Sequence, residues 1–141
     1  MTTIAWDGQT LAADRQCSYH CMPKTKIFRL SDGSLIGFSG NAATGLEVRD
    51  WLNGGGEKPI FDSENNTDYL RIIQDGSITK CYNLRAPLPV LLPYFAIGSG
   101  SDYALGALAA GATSEQAVEI ATRFDENTGG GIDTLRLGSP P

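Results

Sequence analysis

The chain has 141 residues, with 16 acidic against 11 basic side chains and a net charge of −5. That length corresponds to one domain at roughly 150 residues each, and 41% hydrophobic with 19% charged residues is a globular balance that excludes a disordered chain. The acidic excess argues against a nucleic-acid backbone binder, which presents a basic face. No apolar run approaches the roughly 18 residues of a membrane span, and the first residues lack the basic-then-apolar pattern of a secretory signal.

The chain opens with short runs of alternating polarity joined by Asp-Gly pairs. Asp7-Gly8, Asp32-Gly33 and Asp75-Gly76 each separate two such runs, and Asp-Gly in that setting signals a hairpin because tight turns need positive φ. The flanking runs predict strands over Thr2 to Trp6, Thr10 to Asp14, Lys26 to Leu30, Leu35 to Phe38, Leu70 to Ile73 and Ser77 to Tyr82. Between the second and third hairpins, Asn41 to Leu52 carries apolar residues at helical spacing and stops at Gly54-Gly55-Gly56. Residues 55 to 68 are polar and aperiodic and predict a loop. Pro87, Pro89 and Pro93 argue against a central strand within Leu84 to Leu92.

The second half predicts a strand over Phe95 to Gly98, a helix over Asp102 to Ala110 with Ser101 as its cap, and another helix behind Thr113, whose partner Gln116 makes a capping-box pattern. A final strand covers Asp133 to Leu137, and Gly-Ser-Pro-Pro forms a tail. Hairpins imply antiparallel sheets, and helices with one apolar stripe must cover a sheet face, so the fold class is α+β in layers. Residues 1–137 read as one domain and 138–141 as a flexible end.

Three cysteines, Cys17, Cys21 and Cys81, suit a reduced cytoplasmic protein better than a disulfide framework. Cys17, His20 and Cys21 lie together in CSYHC, but a metal site wants four ligands in paired spacing. We expect no metal and no cofactor.

The N-terminus carries the strongest chemical signal. Met1 is followed by the small residue Thr2, the usual setting for methionine removal, which leaves an α-amine and a β-hydroxyl on one residue. An α-amine titrates near 7.7–8.0 and can accept a hydroxyl proton near neutral pH. Many proteins begin Met-Thr without consequence, so the companions decide. In chain order come TTI, AADRQ ending the first hairpin, KIFRL, GFSGNAA, FAIGSGSDYALGAL and DENTGG. In this order the chain resembles the β-type subunits of the proteasome and the bacterial HslV peptidase, N-terminal-nucleophile hydrolases that use a threonine. The likeness runs from Thr2 to about Leu137.

The resemblance implies a four-layer αββα sandwich, here with a reduced helical layer because residues 55 to 68 replace a family helix. It implies Thr2 as nucleophile with its own amine as base. Asp14 and Lys26 would form a buried pair beside it, the cation favouring a developing alkoxide. The Gly40 N–H would stabilise the oxyanion, and Ser99 with Asp125 would orient the amine. Thr128 and Gly129 match pocket-lining positions. Ser18 would bond the backbone of an extended peptide, with Tyr19, His20 and Met22 tuning side-chain preference. Where the family has Asp-Gly after its catalytic aspartate, this chain has Asp14-Arg15.

Read alone, each residue has a plainer role: Asp14 caps a turn, Lys26 is a strand-edge charge, Ser99 starts a helix, and Asp125 ends one against its dipole. The expected activity is peptide-bond hydrolysis in the cytoplasm by a homo-oligomeric ring acting on peptides or unfolded proteins. An ATP-dependent unfoldase is compatible with the family but indicated by no residue, and neither nucleic acid nor membrane is an expected partner. Two other readings stand beside it: a non-catalytic assembly subunit, and an amidohydrolase of the same fold acting on a small amide.

Overall fold

The computed structural model describes residues 2–17, 24–60 and 66–138. Its elements are β1 (Thr3–Trp6), β2 (Thr10–Asp14), β3 (Ile27–Arg29), β4 (Leu35–Gly40), α1 (Ala42–Leu52), β5 (Thr67–Ile72), β6 (Ile78–Cys81), β7 (Leu88–Val90), β8 (Phe95–Gly98), α2 (Ser101–Ala109), α3 (Ser114–Phe124) and β9 (Ile132–Arg136). The fold is mixed α and β, with two antiparallel sheets: a four-stranded one in the order β8-β1-β2-β9 and a five-stranded one in the order β3-β4-β5-β6-β7.

Each Asp-Gly pair turns a hairpin. Trp6 pairs with Leu11 around the first, Arg29 with Leu35 around the second and Ile72 with Ile78 around the third. Positive φ at Gly8, Gly33 and Gly76 satisfies the turn geometry. The period-2 alternation then sorts the side chains. Ile4, Trp6, Leu11, Ala13 and Ile97 of the first sheet share one core with Ile27, Leu35, Leu70, Ile72 and Ile78 of the second. Ala5, Ala12 and Ala96 point the other way and pack with Ala104 and Leu108 of α2 and Ala117 and Val118 of α3. Alanines on that face let the helices lie close to the strands. On the far side of the second sheet, Ile36, Phe38 and Tyr69 pack with Val48 of α1.

Asn41 caps α1, its side chain accepting from the Thr44 N–H at 3.0 Å, and the Thr113–Gln116 capping box of α3 is formed in both directions. Two expectations need correction. Ser101 does not cap α2 but is its first residue, behind Gly100. The helix starts one residue earlier than expected, the Gly100 carbonyl accepting from the Ala104 N–H at 3.1 Å, and a Cβ on Gly100 would sit 2.0 Å from Thr3 Oγ1, so the cap position carries no side chain. The proline-rich segment holds no central strand, as its prolines predict, and contributes a strand of another kind, β7. It lies at the sheet's edge, where Pro89 pairs with Thr79 on one side and its missing N–H costs no ladder bond on the other. The loop expected over 55–68 ends earlier: the described residues 53–60 and 66 form no helix or strand, but Thr67 and Asp68 already belong to β5. Among the described residues no helix is long and apolar enough to cross a membrane.

Candidate active site

Register builds the site. Because Ile4 pairs with Ala13, the next step along β2 brings Asp14 beside Thr3 at the start of β1. The Thr3 N–H donates to Asp14 Oδ1 at 3.0 Å. Lys26, just before β3, donates from Nζ to the same oxygen at 3.0 Å, with side-chain exposures of 2% for Lys26 and 0% for Asp14. Asp14 Oδ2 accepts from the Gly129 N–H at 3.1 Å and the Gln16 N–H at 3.3 Å. Backbone donors and a cation thus satisfy a carboxylate that water does not reach, as burial of such a charge requires. Burial pushes the Lys26 ammonium below the ordinary lysine value, and the adjacent Asp14 opposes this without cancelling it.

A second group surrounds the backbone of Thr2, which is itself 4% exposed. The Thr2 N–H donates to Ser99 Oγ at 3.2 Å, and that hydroxyl lies 2.6 Å from Asp125 Oδ2, to which it donates. Thr128 Oγ1 donates to the same Asp125 oxygen at 2.7 Å and lies 2.8 Å from Thr3 Oγ1. Burial by itself would raise the Asp125 pKa. The Ser99 and Thr128 hydroxyls and the Asn127 N–H outweigh it and hold the carboxyl below its usual range. Asp125 is the residue that ends α3, with its N–H bonded to the Ala121 carbonyl.

The approach of β8 to Thr2 depends on a glycine. Gly98 has φ +102°, and a Cβ there would sit 2.0 Å from the Thr2 carbonyl oxygen. Only a residue without a side chain lets the turn into α2 bring Ser99 against the Thr2 nitrogen. Thr2 then faces an open cleft of ≈ 390 Å³ that it shares with Gly40, Ser99, Asn66, Asp68 and Tyr82. This volume is in the range of about 300–1,000 Å³ typical of small-ligand sites.

The structure therefore brings together Thr2, Asp14, Lys26, Gly40, Ser99 and Asp125. Thr128 and Gly129 sit behind them on the two carboxylates, not among the residues lining the cleft. Ser18, Tyr19, His20 and Met22 lie outside the described residues, as does Cys21. Among the described residues no group of His, Cys, Asp and Glu is placed to hold a metal ion. Sequence reasoning missed Thr3, whose N–H and hydroxyl link the Asp14 and Asp125 groups, although its position next to Thr2 on a strand was a usable signal. It also missed Asn66, Asp68 and Tyr82, which no motif marks.

The chain has the fold of HslV-type proteins, the family its motifs resemble. BPH of Thiobacillus denitrificans in complex with epoxomicin matches with a TM-score of 0.73 and 21% identity over 99% of both chains. BPH of the same organism also matches with a TM-score of 0.72, 22% identity and 99% of both chains covered. Eukaryotic HslV from Trypanosoma brucei matches with a TM-score of 0.73 and 20% identity, over 96% of this chain and 98% of that one. No protein-family model matches the sequence, and neither does any curated protein. At such identities the likeness is one of fold, and the chemistry has to be argued from the site.

Proposed function

We propose that the protein is a threonine-type peptidase whose nucleophile is Thr2, exposed by removal of Met1. The observation that carries this reading is the chain of contacts from the Thr2 nitrogen through Ser99 Oγ to Asp125, with the buried Asp14–Lys26 pair on the adjoining residue Thr3. A buried carboxylate-ammonium pair and a buried hydroxyl-carboxylate chain converging on two successive threonines are more than a strand end needs for stability. They suit a nucleophile whose base must be oriented.

In this mechanism the free Thr2 amine donates one N–H to Ser99 Oγ and keeps its lone pair for the Thr2 hydroxyl. As that hydroxyl attacks the scissile carbonyl, its proton passes to the amine. The Lys26 charge favours the developing alkoxide, and the Gly40 N–H meets the oxyanion. Collapse of the adduct breaks the C–N bond, the leaving amine takes the proton, and an acyl ester remains on Thr2. Water, deprotonated by the same amine, then hydrolyses the ester and restores the site.

The wider reading is a four-layer αββα sandwich, with α2 and α3 on one outer face and α1 on the other, supported by the three separate apolar cores. A cytoplasmic homo-oligomeric ring acting on peptides or unfolded protein belongs to the same proposal, with an ATP-dependent unfoldase as a candidate partner. The test is intact mass spectrometry after exposure to a threonine-directed electrophile. We expect loss of Met1 and a single adduct, absent in Thr2→Ala and suppressed by epoxomicin, the ligand of the similar BPH structure. Equal labelling of Thr2→Ala would overturn the mechanism. No adduct on protein with a free Thr2 amine would favour a non-catalytic subunit, and cleavage of small amides but not peptides would favour an amidohydrolase.

A further inference from the structure

The cleft beside Thr2 holds a carboxylate that the mechanism does not use. Asp68, on β5, is half-buried and lines the cleft together with Tyr82, which follows β6. Its Oδ1 accepts from the Asn83 N–H at 2.8 Å. Among the described residues no Lys or Arg forms an ion pair with it. Lys80 engages rings rather than this carboxylate: its ammonium lies 5.2 Å from the centre of the Tyr82 ring and 5.0 Å from that of Phe95.

The support behind Asp68 is strained. Asn83 and Leu84 have φ of 55° and 56°, and they are the non-glycine residues with positive φ among those described. Leu84 is buried, so its side chain gains from packing, but two consecutive left-handed residues cost free energy that ordinary turns avoid. What the conformation achieves is to aim the Asn83 N–H at Asp68. Burial raises the Asp68 pKa, and the Asn83 N–H only partly offsets it. A half-buried carboxylate held by one backbone donor, without a cation, lacks the partner such charges normally have.

We infer that Asp68 is a specificity-determining residue that receives a Lys- or Arg-type cationic side chain of the peptide bound at Thr2. Tyr82, which lines the same cleft, offers the stem of that side chain an apolar surface. This rests on the Thr2 peptidase reading for what is bound, though the recognition itself requires no turnover.

The experiment uses the Thr2→Ala protein, which binds without cleaving. Short acetylated peptides carry Arg at each position in turn, each compared with the same peptide containing citrulline, the uncharged isostere. A charge-assisted bond contributes about 1.5–3 kcal/mol, so at one position Arg should bind about tenfold tighter or more than citrulline. In Asp68→Asn the ratio should fall to near one, with citrulline affinity retained as the sign of an intact cleft. If that variant does not fold, salt decides: the Arg preference should shrink between about 50 mM and about 500 mM salt. Equal binding of Arg and citrulline peptides at every position overturns the inference, as does an Arg preference that survives in folded Asp68→Asn. Adducts on Thr2 without an Arg preference sink this inference alone. An Arg preference without adducts keeps Asp68 as a binding determinant and sinks the peptidase.

Discussion

Lys26 Nζ and Asp14 Oδ1 are 3.0 Å apart and almost wholly removed from water, and the same Asp14 oxygen receives the N–H of Thr3, the neighbour of the proposed nucleophile. The pair joins the start of β3 to the end of β2, and so ties the two sheets together at the site. Removing one partner leaves the other buried and uncompensated, which costs about 3–5 kcal/mol. Lys26→Met should lose stability on that scale in urea denaturation, while Lys26→Met with Asp14→Asn should recover much of it. Activity should return in neither. Full activity in the double variant would remove the pair from the mechanism.

Ser99 makes a different kind of contribution. It takes the Thr2 N–H and gives its own hydrogen to Asp125. Ser99→Ala forfeits one neutral hydrogen bond of about 0.5–1.5 kcal/mol and one to a carboxylate of about 1.5–3 kcal/mol in stability. Its larger effect should fall on the rate at which Thr2 takes an electrophile, because the amine is no longer oriented. We expect at least tenfold slower labelling at neutral pH. A rate unchanged within a factor of two would mean that Ser99 only packs.

Gly98 can be tested without touching any polar group. An alanine there must move the Thr2 carbonyl or abandon φ +102°. Strain of this kind costs about 1–3 kcal/mol, and relief by shifting β8 would carry Ser99 away from the Thr2 nitrogen. Gly98→Ala should therefore fold with lowered stability and lose Thr2 labelling disproportionately. Gly76→Ala, at an exposed hairpin turn with open space around it, should lose stability but label normally.

Acid stability should report on Asp7 at the opposite end of β1. Its oxygens accept the N–H groups of Gln9 and Thr10 in the first hairpin and of Ser114 at the start of α3. Burial would raise its pKa, but these hydrogen bonds bring it below the usual 3.8. A carboxyl with a depressed folded-state value adds stability that is complete above the unfolded value and disappears as pH falls through the folded one. Asp7→Asn should thus be less stable than the parent at pH 7, by about 1–2 kcal/mol for the lost charge-assisted bonds. The gap should close as the pH is lowered from 3.8. A gap that persists unchanged at lower pH would show that charge is not what Asp7 contributes.

The local parts of this protein were legible in its residues. Asp7-Gly8, Asp32-Gly33 and Asp75-Gly76 each announced a hairpin, and Thr113 with Gln116 announced the start of α3, because a turn's φ and a helix's orphan N–H groups are met by residues a few positions away. The order of Thr2, Asp14, Lys26, Gly40, Ser99 and Asp125 was enough to nominate a site. Position in three dimensions was not legible in the same way. Ser101 was expected to cap α2, but the helix begins at Ser101 itself, behind a Gly100 to which Thr3 leaves no room for a side chain. Pro89 argued against a central strand but could not reveal an edge where its missing N–H is harmless.

The sequence by itself determined the turns, the helix starts and the identity of the charged and hydroxyl groups, all consequences of local backbone chemistry. Only the tertiary structure decided that Thr3 and Thr128 join two carboxylates, and that Asp68 and Tyr82 share the cleft with Thr2. Those contacts depend on strand register and sheet packing. The register is set by which face of each strand is buried, so they arise from the whole core at once and from no short stretch of the chain.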